Sequence, residues 1–252
     1  MISEEKLRSE LDMFDVDIIV KKTTVSTNTD GKALAKAGIP RPVLIAADEQ
    51  TGGRGRQGKT FLSPRGGLYM TLILPLAAPI GDAVTATSCS SVAVSRALGR
   101  FAIDCGIKWV NDIYVARRKL CGILVEAEND YRTMTTQALV IGIGVNVETS
   151  PALEGEVKAV SLRELGCKAE ITDVCSTIAK EMLVMYNDGF DFSSCQDEYK
   201  RRSVVLGREI TFTENGVTRV GCASDIGEHG ELIVDCGSEK ITLTSGEISV
   251  RI

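Results

Sequence analysis

The chain has 252 residues, 44% of them hydrophobic, and carries 29 lysines and arginines against 34 aspartates and glutamates, a net charge of −5. That length holds one large domain, or a main domain with a small appendage, and the acidic balance disfavours broad electrostatic binding to nucleic acid. Residues 1–17 are charged and mixed, unlike a signal peptide, and no run has the apolar length of a membrane-spanning helix.

In chain order, residues 1–15 are expected to form a short amphipathic helix. Ile18–Lys22 reads as a strand that enters Thr24-Val25-Ser26-Thr27-Asn28. Helix formers fill Thr29–Ala37, and Gly38 and Pro40 stop them. Val43–Ala47 is a buried strand, and Leu68–Leu74 is another, ended by Pro75. Asp82–Phe101 has helical periodicity with many small residues. Ile107–Tyr114 and Cys121–Glu126 read as paired strands around a basic turn, Arg117-Arg118-Lys119. Ala138–Val147 is a long apolar strand containing Gly142 and Gly144. Glycines inside a strand mark close approach of a ligand or another backbone. Ile171–Asp188 and Gln196–Arg202 are expected to be helical.

The texture changes after Val205. Short alternating runs follow at Glu209–Thr213, Thr218–Ser224, Glu231–Asp235, Lys240–Thr244 and Glu247–Arg251, separated by turn signals such as Glu214-Asn215-Gly216 and Cys236-Gly237-Ser238. That spacing implies a small antiparallel barrel over residues 206–252, after a main domain of residues 1–205. The eight cysteines are scattered without a C-x-x-C pair, and His229 is the single histidine. No zinc site of the usual spacing is visible. Reduced, mostly buried thiols in a cytoplasmic protein are expected.

The segment Gly52-Gly53-Arg54-Gly55-Arg56-Gln57-Gly58-Lys59 is the most informative stretch. Its glycines let backbone N–H groups approach a ligand, and its cations add charge, a combination that grips an oxyanion. A solvated loop and a single-stranded nucleic-acid grip remain open from these residues alone. Gly53 to Thr60 also fits the P-loop spacing G-x-x-x-x-G-K-T, but the Ser63-Pro64 turn that follows reads against the helix such a loop opens. Ser26-Thr27-Asn28 reads equally as a helix N-cap.

Further clusters are Lys108-Trp109-Val110-Asn111-Asp112, then Arg118-Lys119-Leu120-Cys121-Gly122-Ile123-Leu124-Val125-Glu126, then Gly142-Ile143-Gly144-Val145-Asn146. Together with the glycine–arginine segment, their order and spacing resemble the biotin protein ligase family across residues 18–252. The resemblance implies an α/β fold: a mixed-sheet catalytic domain akin to class II aminoacyl-tRNA synthetases, plus a small C-terminal SH3-like β-barrel. It implies activation of biotin with ATP to biotinyl-5′-AMP, then transfer to a lysine of a biotin carboxyl carrier domain. The same fold serves lipoate–protein ligases and lipoyl transferases, which stand as the alternative. A non-enzymatic nucleic-acid-binding module is the alternative of another class.

By this resemblance, Arg54 and Lys119 meet the carboxylate–phosphate junction, and Arg56 holds the loop closed over the intermediate. Ser26, Thr27 and Gln50 contact the ureido ring of biotin, with Gly122, Gly142 and Gly144 clearing space for ring and tail. Gly53, Gly55, Phe61 and Asn111 belong to the ATP side, and Asn146 contacts adenine. Asp112 helps the acceptor amine lose its proton, since a lysine has a pKa of about 10.4. It reads alternatively as a turn cap or a partner of Lys108. Mg2+ arrives with ATP, held by phosphates and water, so no protein metal cage is expected. The family pattern has proline at Val110, often tryptophan at Phe61 and arginine at Lys59. Phe61 keeps a smaller aromatic face, and Lys59 loses the bidentate fork. About twenty residues precede the first strand, too few for the DNA-binding domain of the family's repressors, so no DNA partner is expected. Family members often form a homodimer through the main sheet, a state that no residue here decides.

Overall fold

The computed structural model describes residues 1–79, 83–151, 158–214, 216–246 and 248–250. Asp82, Asn215, Glu247 and Arg251, each named above at the edge or turn of an element, lie outside them. The elements run α1 (Glu4–Glu10), β1 (Asp17–Lys21), α2 (Thr27–Ala37), β2 (Val43–Ala47), β3 (Gly67–Pro79), α3 (Ala83–Gly99), β4 (Gly106–Lys108) and β5 (Asp112–Val115). After them come β6 (Arg118–Asp130), β7 (Thr135–Asn146), α4 (Ile171–Asn187), α5 (Gln196–Arg202), β8 (Glu209–Glu214), β9 (Val217–Ile226), β10 (Leu232–Asp235), β11 (Lys240–Leu243) and β12 (Ile248–Val250).

Seven strands form one mixed sheet in the order β1-β2-β3-β7-β6-β5-β4. β1 and β2 are parallel, as the intervening α2 requires, and the other pairs are antiparallel. Strand period decides which residues face which layer. Leu68, Met70, Leu72 and Leu74 of β3 and Ile141, Ile143 and Val145 of β7 point into the main core, with α3 and α4 over them. The opposite face carries α2, whose Ala35 packs with Ile45, Ile73 and Val140. The small residues of α3 include buried serines. Ser90, Ser91 and Ser95 satisfy their hydroxyls on carbonyls four residues back, at 2.6, 2.9 and 2.8 Å.

Three expectations are corrected. Pro75 does not end β3: the strand slips register between Pro75 and Ala78 and runs on to Pro79 opposite Thr135. Proline removes one N–H donor, and a bulge absorbs the missing ladder bond, while the Pro75 carbonyl accepts from the Tyr186 hydroxyl at 2.7 Å. Ile107–Tyr114 is two short strands of a hairpin, β4 and β5, rather than one. The turn between β5 and β6 is Ala116-Arg117, both at positive φ (47° and 64°), so Arg118 and Lys119 lie on β6 instead of in the turn. A two-residue loop with both residues left-handed matches the right-handed twist of its strands. The C-terminal strands pair in the order β11-β10-β9-β8-β12, an antiparallel sheet with no hydrogen-bonded closure into a barrel among the described residues.

Among the described residues no helix is long and apolar enough to cross a membrane. All eight cysteines are free thiols, five of them buried and Cys222 exposed. Burial pushes the thiols of Cys105 and Cys175 up to about 12, which suppresses the reactive thiolate at neutral pH. A thiol-labelling time course on native protein at mildly alkaline pH is expected to mark Cys222 well before Cys105 and Cys175. Early modification of either buried site would contradict this packing.

Candidate active site

On the α2 face, β3, β7 and β6 place side chains in rows: Tyr69–Gly144–Gly122, then Thr71–Gly142–Leu124, then Ile73–Val140–Glu126. Glycine occupies three of the six positions in the first two rows, and the sheet is hollow there. The resulting cleft has a volume of about 740 Å³, within the span of about 300–1,000 Å³ usual for small-molecule sites. Part of the hollow is used by the chain itself. A Cβ on Gly142 would overlap the Asn28 amide, and one on Gly144 would overlap the Phe61 ring. At Gly122 a Cβ would stand 3.1 Å from Phe61 Cε2 and 3.4 Å from Lys119 Cε. Clearance read from the sequence as room for a ligand is, at Gly142 and Gly144, clearance for Asn28 and Phe61.

The start of α2 forms the polar end. Ser26 is its N-cap and accepts from Thr29 N–H at 3.4 Å. The Gln50 side-chain oxygen accepts from Thr27 N–H at 2.8 Å and from the Thr27 hydroxyl at 3.1 Å. Its amide nitrogen donates to Ser63 Oγ at 2.8 Å, and Ser63 donates to the Phe61 carbonyl at 2.8 Å. Every heavy atom of the Gln50 amide is thereby fixed in place, with one N–H left to give.

The glycine–arginine segment is a narrow hairpin. Phe61 N–H bonds Gly53 O at 2.9 Å, Arg54 bridges Thr60, and Gly55 N–H bonds Lys59 O at 2.7 Å. Gly53 must be glycine because a Cβ would overlap the Phe61 carbonyl and Ser63 Oγ. The hairpin's arginines reach polar partners around the cleft. Arg54 Nη2 lies 3.4 Å from Glu126 Oε1, and Arg56 Nη1 donates to Asn111 Oδ1 at 3.1 Å.

Opposite the hairpin stands the β5–β6 corner. Lys119 Nζ is 2.6 Å from Asp112 Oδ1, with both side chains about one-fifth exposed (22% and 21%). Asp112 therefore partners Lys119 and not Lys108, whose ammonium lies over the Tyr114 ring at 5.7 Å. A register shift between Ile113 and Tyr114 puts Lys119 opposite Tyr114 and Cys121 opposite Ile113. That bulge lets Lys119 face the cleft while Leu120 and Cys121 are both buried. Asn111 is held by its own amide, which donates to Ile123 O at 2.7 Å. Burial raises the phenols of Tyr69 and Tyr114 above their ordinary range, with Glu49 and Asp112 adding to the effect, so both stay neutral hydroxyls at physiological pH.

Ser26, Thr27, Gln50, Arg54, Gly55, Arg56 and Phe61 line this one cleft, as do Asn111, Asp112, Lys119, Gly122, Gly142 and Gly144. Gly53 and Asn146 do not. Asn146 is 6% exposed, and its amide donates to Lys119 O at 3.3 Å and Val160 O at 3.1 Å, so it braces the Lys119 backbone. Three lining features escaped the sequence reading. Asn28 stood inside the Ser-Thr-Asn triplet, where the N-cap reading absorbed it. Tyr69 belongs to the cleft face through its period-two relation to Thr71. Gly246, Ile248 and Ser249 of the C-terminal segment also line the cleft, and no local signal marks them. Among the described residues no three His, Cys, Asp or Glu side chains gather as a metal site.

A family model described as the biotin/lipoate A/B protein ligase family matches residues 20–146, and one described as the biotin protein ligase C terminal domain matches residues 205–251. The bifunctional ligase/repressor BirA of Bacillus subtilis (strain 168) is 35% identical over 156 residues, covering 60% of this chain and 47% of that protein. The chain thus spans about half the length of that relative. The biotin–[acetyl-CoA-carboxylase] ligase of Mycobacterium tuberculosis is 27% identical over 248 residues, covering 92% of this chain and 88% of that one. Among solved structures, the biotin protein ligase of Aquifex aeolicus in complex with biotin and ATP superposes with a TM-score of 0.74 at 25% identity, covering 93% of this chain and 98% of that one.

The glycine floor makes a stability prediction. Gly142→Ala must push Asn28 out of its seat and is expected to cost about 1–3 kcal/mol. Gly99→Ala, at the end of α3 with nothing within 4 Å of its Cβ, is expected to stay within about 0.5 kcal/mol of the parent. Denaturant unfolding of the two variants side by side measures both, and equal midpoints would refute the crowding at Gly142.

Proposed function

The chain belongs to the biotin/lipoate A/B protein ligase family, and we propose on that premise that it is a biotin protein ligase. It joins the biotin carboxylate to the α-phosphate of ATP with release of pyrophosphate. The biotinyl group then passes from this adenylate to a lysine of a biotin carboxyl carrier domain with release of AMP. The observation that carries the reading is one glycine floor shared by two unlike environments. A hydroxyl–amide cradle of Ser26, Thr27 and Gln50 stands by the start of α2, Arg56 and Lys119 stand at the β5–β6 end with Asn111 and Asp112, and Arg54 lines the cleft from its contact with Glu126. The ligands named for the Aquifex neighbour, biotin and ATP, suit these two ends in turn.

The first step brings two anions together. Lys119, held by Asp112 at 2.6 Å, supplies a positioned cation where carboxylate and α-phosphate meet, and Arg54 supplies a second. The hairpin carries Arg56 across to Asn111 and closes the cleft against water, which protects the mixed anhydride. In the second step the acceptor amine loses a proton and its nitrogen attacks the carbonyl carbon. The acyl–phosphate bond breaks and AMP leaves. Asp112 is the carboxylate among the described lining residues, and it orients that amine and takes its proton. A single carboxylate fits a Mg2+ that takes its ligands from phosphates and water, the ion supplying further neutralisation of the triphosphate when bound. Asn111 serves the ATP side as a scaffold. Residues 1–205 form the catalytic unit and residues 206–252 a small appended domain, a division supported by the separate sheets and the separate family matches. Eight free thiols accord with work in the cytoplasm.

Lipoate is the competing acid. Its dithiolane ring offers no N–H or urea oxygen, so it would leave the remaining Gln50 N–H and the Thr27 lone pairs unmatched, a loss that discriminates strongly. The test is pyrophosphate release driven by biotin or by lipoate with Mg-ATP, followed by the mass of a biotin carrier domain. Release with lipoate alone would overturn the assignment.

Lys119→Ala is expected to keep the fold and lose about 3–4 kcal/mol of transition-state stabilisation, roughly a thousandfold in adenylation. A folded variant with near-parental pyrophosphate release would reject the role of Lys119. Arg56→Gly is expected to adenylate biotin but to release the intermediate, which then labels amines indiscriminately. Biotin transfer to an unrelated lysine-rich protein reads this directly, and labelling no higher than with the parent enzyme would exclude it.

A further inference from the structure

Glu126 closes the Arg-Lys-Leu-x-Gly-Ile-Leu-Val-Glu block, yet neither half-reaction assigns it any work. It stands on β6 in the row beyond the glycine floor, with a side chain only 17% exposed. Its carboxylate gathers three donors. Oε2 accepts from Asn28 Nδ2 at 3.2 Å, while Oε1 receives Lys32 Nζ at 3.0 Å and Arg54 Nη2 at 3.4 Å. The contact with Asn28 has consequences inside the cleft. Asn28 is 5% exposed, and its oxygen lies 2.7 Å from the Thr71 hydroxyl. The same hydroxyl lies 2.8 Å from Thr27 Oγ1.

An amide has a donor end and an acceptor end, whereas an ionised carboxylate only accepts. Facing Glu126, and the Leu124 carbonyl at the longer distance of 3.4 Å, Asn28 must present its NH2, because two acceptors buried against one another repel and leave donors unmatched. Its oxygen is then turned to Thr71 and takes the single Thr71 proton. Thr27 can then give its own proton to the Thr71 oxygen at 2.8 Å or to Gln50 Oε1 at 3.1 Å, and it keeps its lone pairs for an incoming N–H. In the reverse orientation the Asn28 NH2 would donate to Thr71. Thr71 would then turn its proton onto Thr27 and occupy one of its two lone pairs.

We infer that Glu126 is a positioning residue: through Asn28 and Thr71 it makes the Thr27 hydroxyl an acceptor, and so selects an acid whose ring presents N–H donors. The inference rests on the biotin reading above, since the ureido ring is such a group. Glu126 touches no reacting atom and acts at the opposite end of the floor from Lys119.

The test is a swap of the two partners, read by steady-state biotin-dependent pyrophosphate release at saturating Mg-ATP. Glu126→Gln keeps the shape but no longer dictates the amide, and is expected to raise KM for biotin about tenfold with kcat within about threefold. Asn28→Asp sets two carboxylates against each other and is expected to raise it further. In the double variant N28D/E126Q the amide now on β6 donates to the carboxylate now on α2, whose second oxygen accepts from Thr71 as before. Its KM is expected to return to within about threefold of the parent, a rescue that a merely structural role would not give. Lys32→Met removes only the outer charge partner and should leave KM for biotin unchanged, and thermal melts check that each variant is folded. Parental KM in E126Q, a double variant no better than the worse single one, or an equal loss in K32M would each overturn the inference while the ligase reading stands. A parent enzyme without biotin-dependent pyrophosphate release would overturn both.

Discussion

Side chains on one face of a sheet stand about 5 Å apart across neighbouring strands, so a cleft can sink into a sheet only where adjacent positions lack them. Gly122 and Gly144 face each other in register, and Gly142 lies in the next row. The rest of the site is arranged around that hollow. Tyr69 and Thr71 border it on β3, Leu124 on β6, and the row of Ile73, Val140 and Glu126 closes it. The start of α2 enters from above because Gly142 has no Cβ to meet Asn28. Phe61 enters from the hairpin because Gly144 has none either. The same absence that admits a ligand therefore also seats the two side chains that give the hollow its polarity and its aromatic wall.

Gathering like charges in a small space is opposed by Coulomb repulsion. The protein meets this by giving each functional cation a partner: Glu126 for Arg54, Asn111 for Arg56 and Asp112 for Lys119. The Arg54 contact is long and its side chain is 47% exposed, so the pair contributes little to stability. Lys119 and Asp112 sit closer and deeper, which suits a cation that must keep its place. The difference in burial separates a mobile clamp from a fixed electrostatic anchor.

The corner that carries Asn111 and Asp112 is braced from a second sheet. Trp109 Nε1 donates to Gly230 O at 2.9 Å, and Gln196 on α5 donates to the carbonyls of Ile226 and Gly227 at 3.1 and 2.9 Å. The chain is therefore pinned to the C-terminal sheet one residue from Val110 and two from Asn111. Gly246, Ile248 and Ser249 complete the cleft wall from the same part of the chain. A small sheet thus helps to wall the cleft and braces the β4–β5 hairpin beside it.

Local signals determined much of this protein. The strands Val43–Ala47 and Ala138–Val147, the helices α2, α4 and α5, and the change of texture at Val205 were legible because period, caps and turn residues act within a few positions. The glycine–arginine segment and the Lys119 block were legible because their chemistry requires several unusual residues at short spacing. Tertiary structure alone decided the rest. A proline at position 75 looks terminal until a bulge carries the strand past it and a distant tyrosine donates to its carbonyl. The basic turn begins one residue earlier and is one residue shorter than expected, since strand twist placed Ala116 and Arg117 in the left-handed region and left Lys119 on β6. Asp112 could have taken Lys108 or Lys119, and a register shift chose Lys119. That the Asn146 amide donates to Lys119 O and Val160 O is set by burial, which no local signal shows. Whether a glycine clears room for a ligand or for a neighbour, and which partner a charged side chain finds, depends on atoms far apart in the chain. Sequence specifies the chemical groups, and only packing sets their distances and directions.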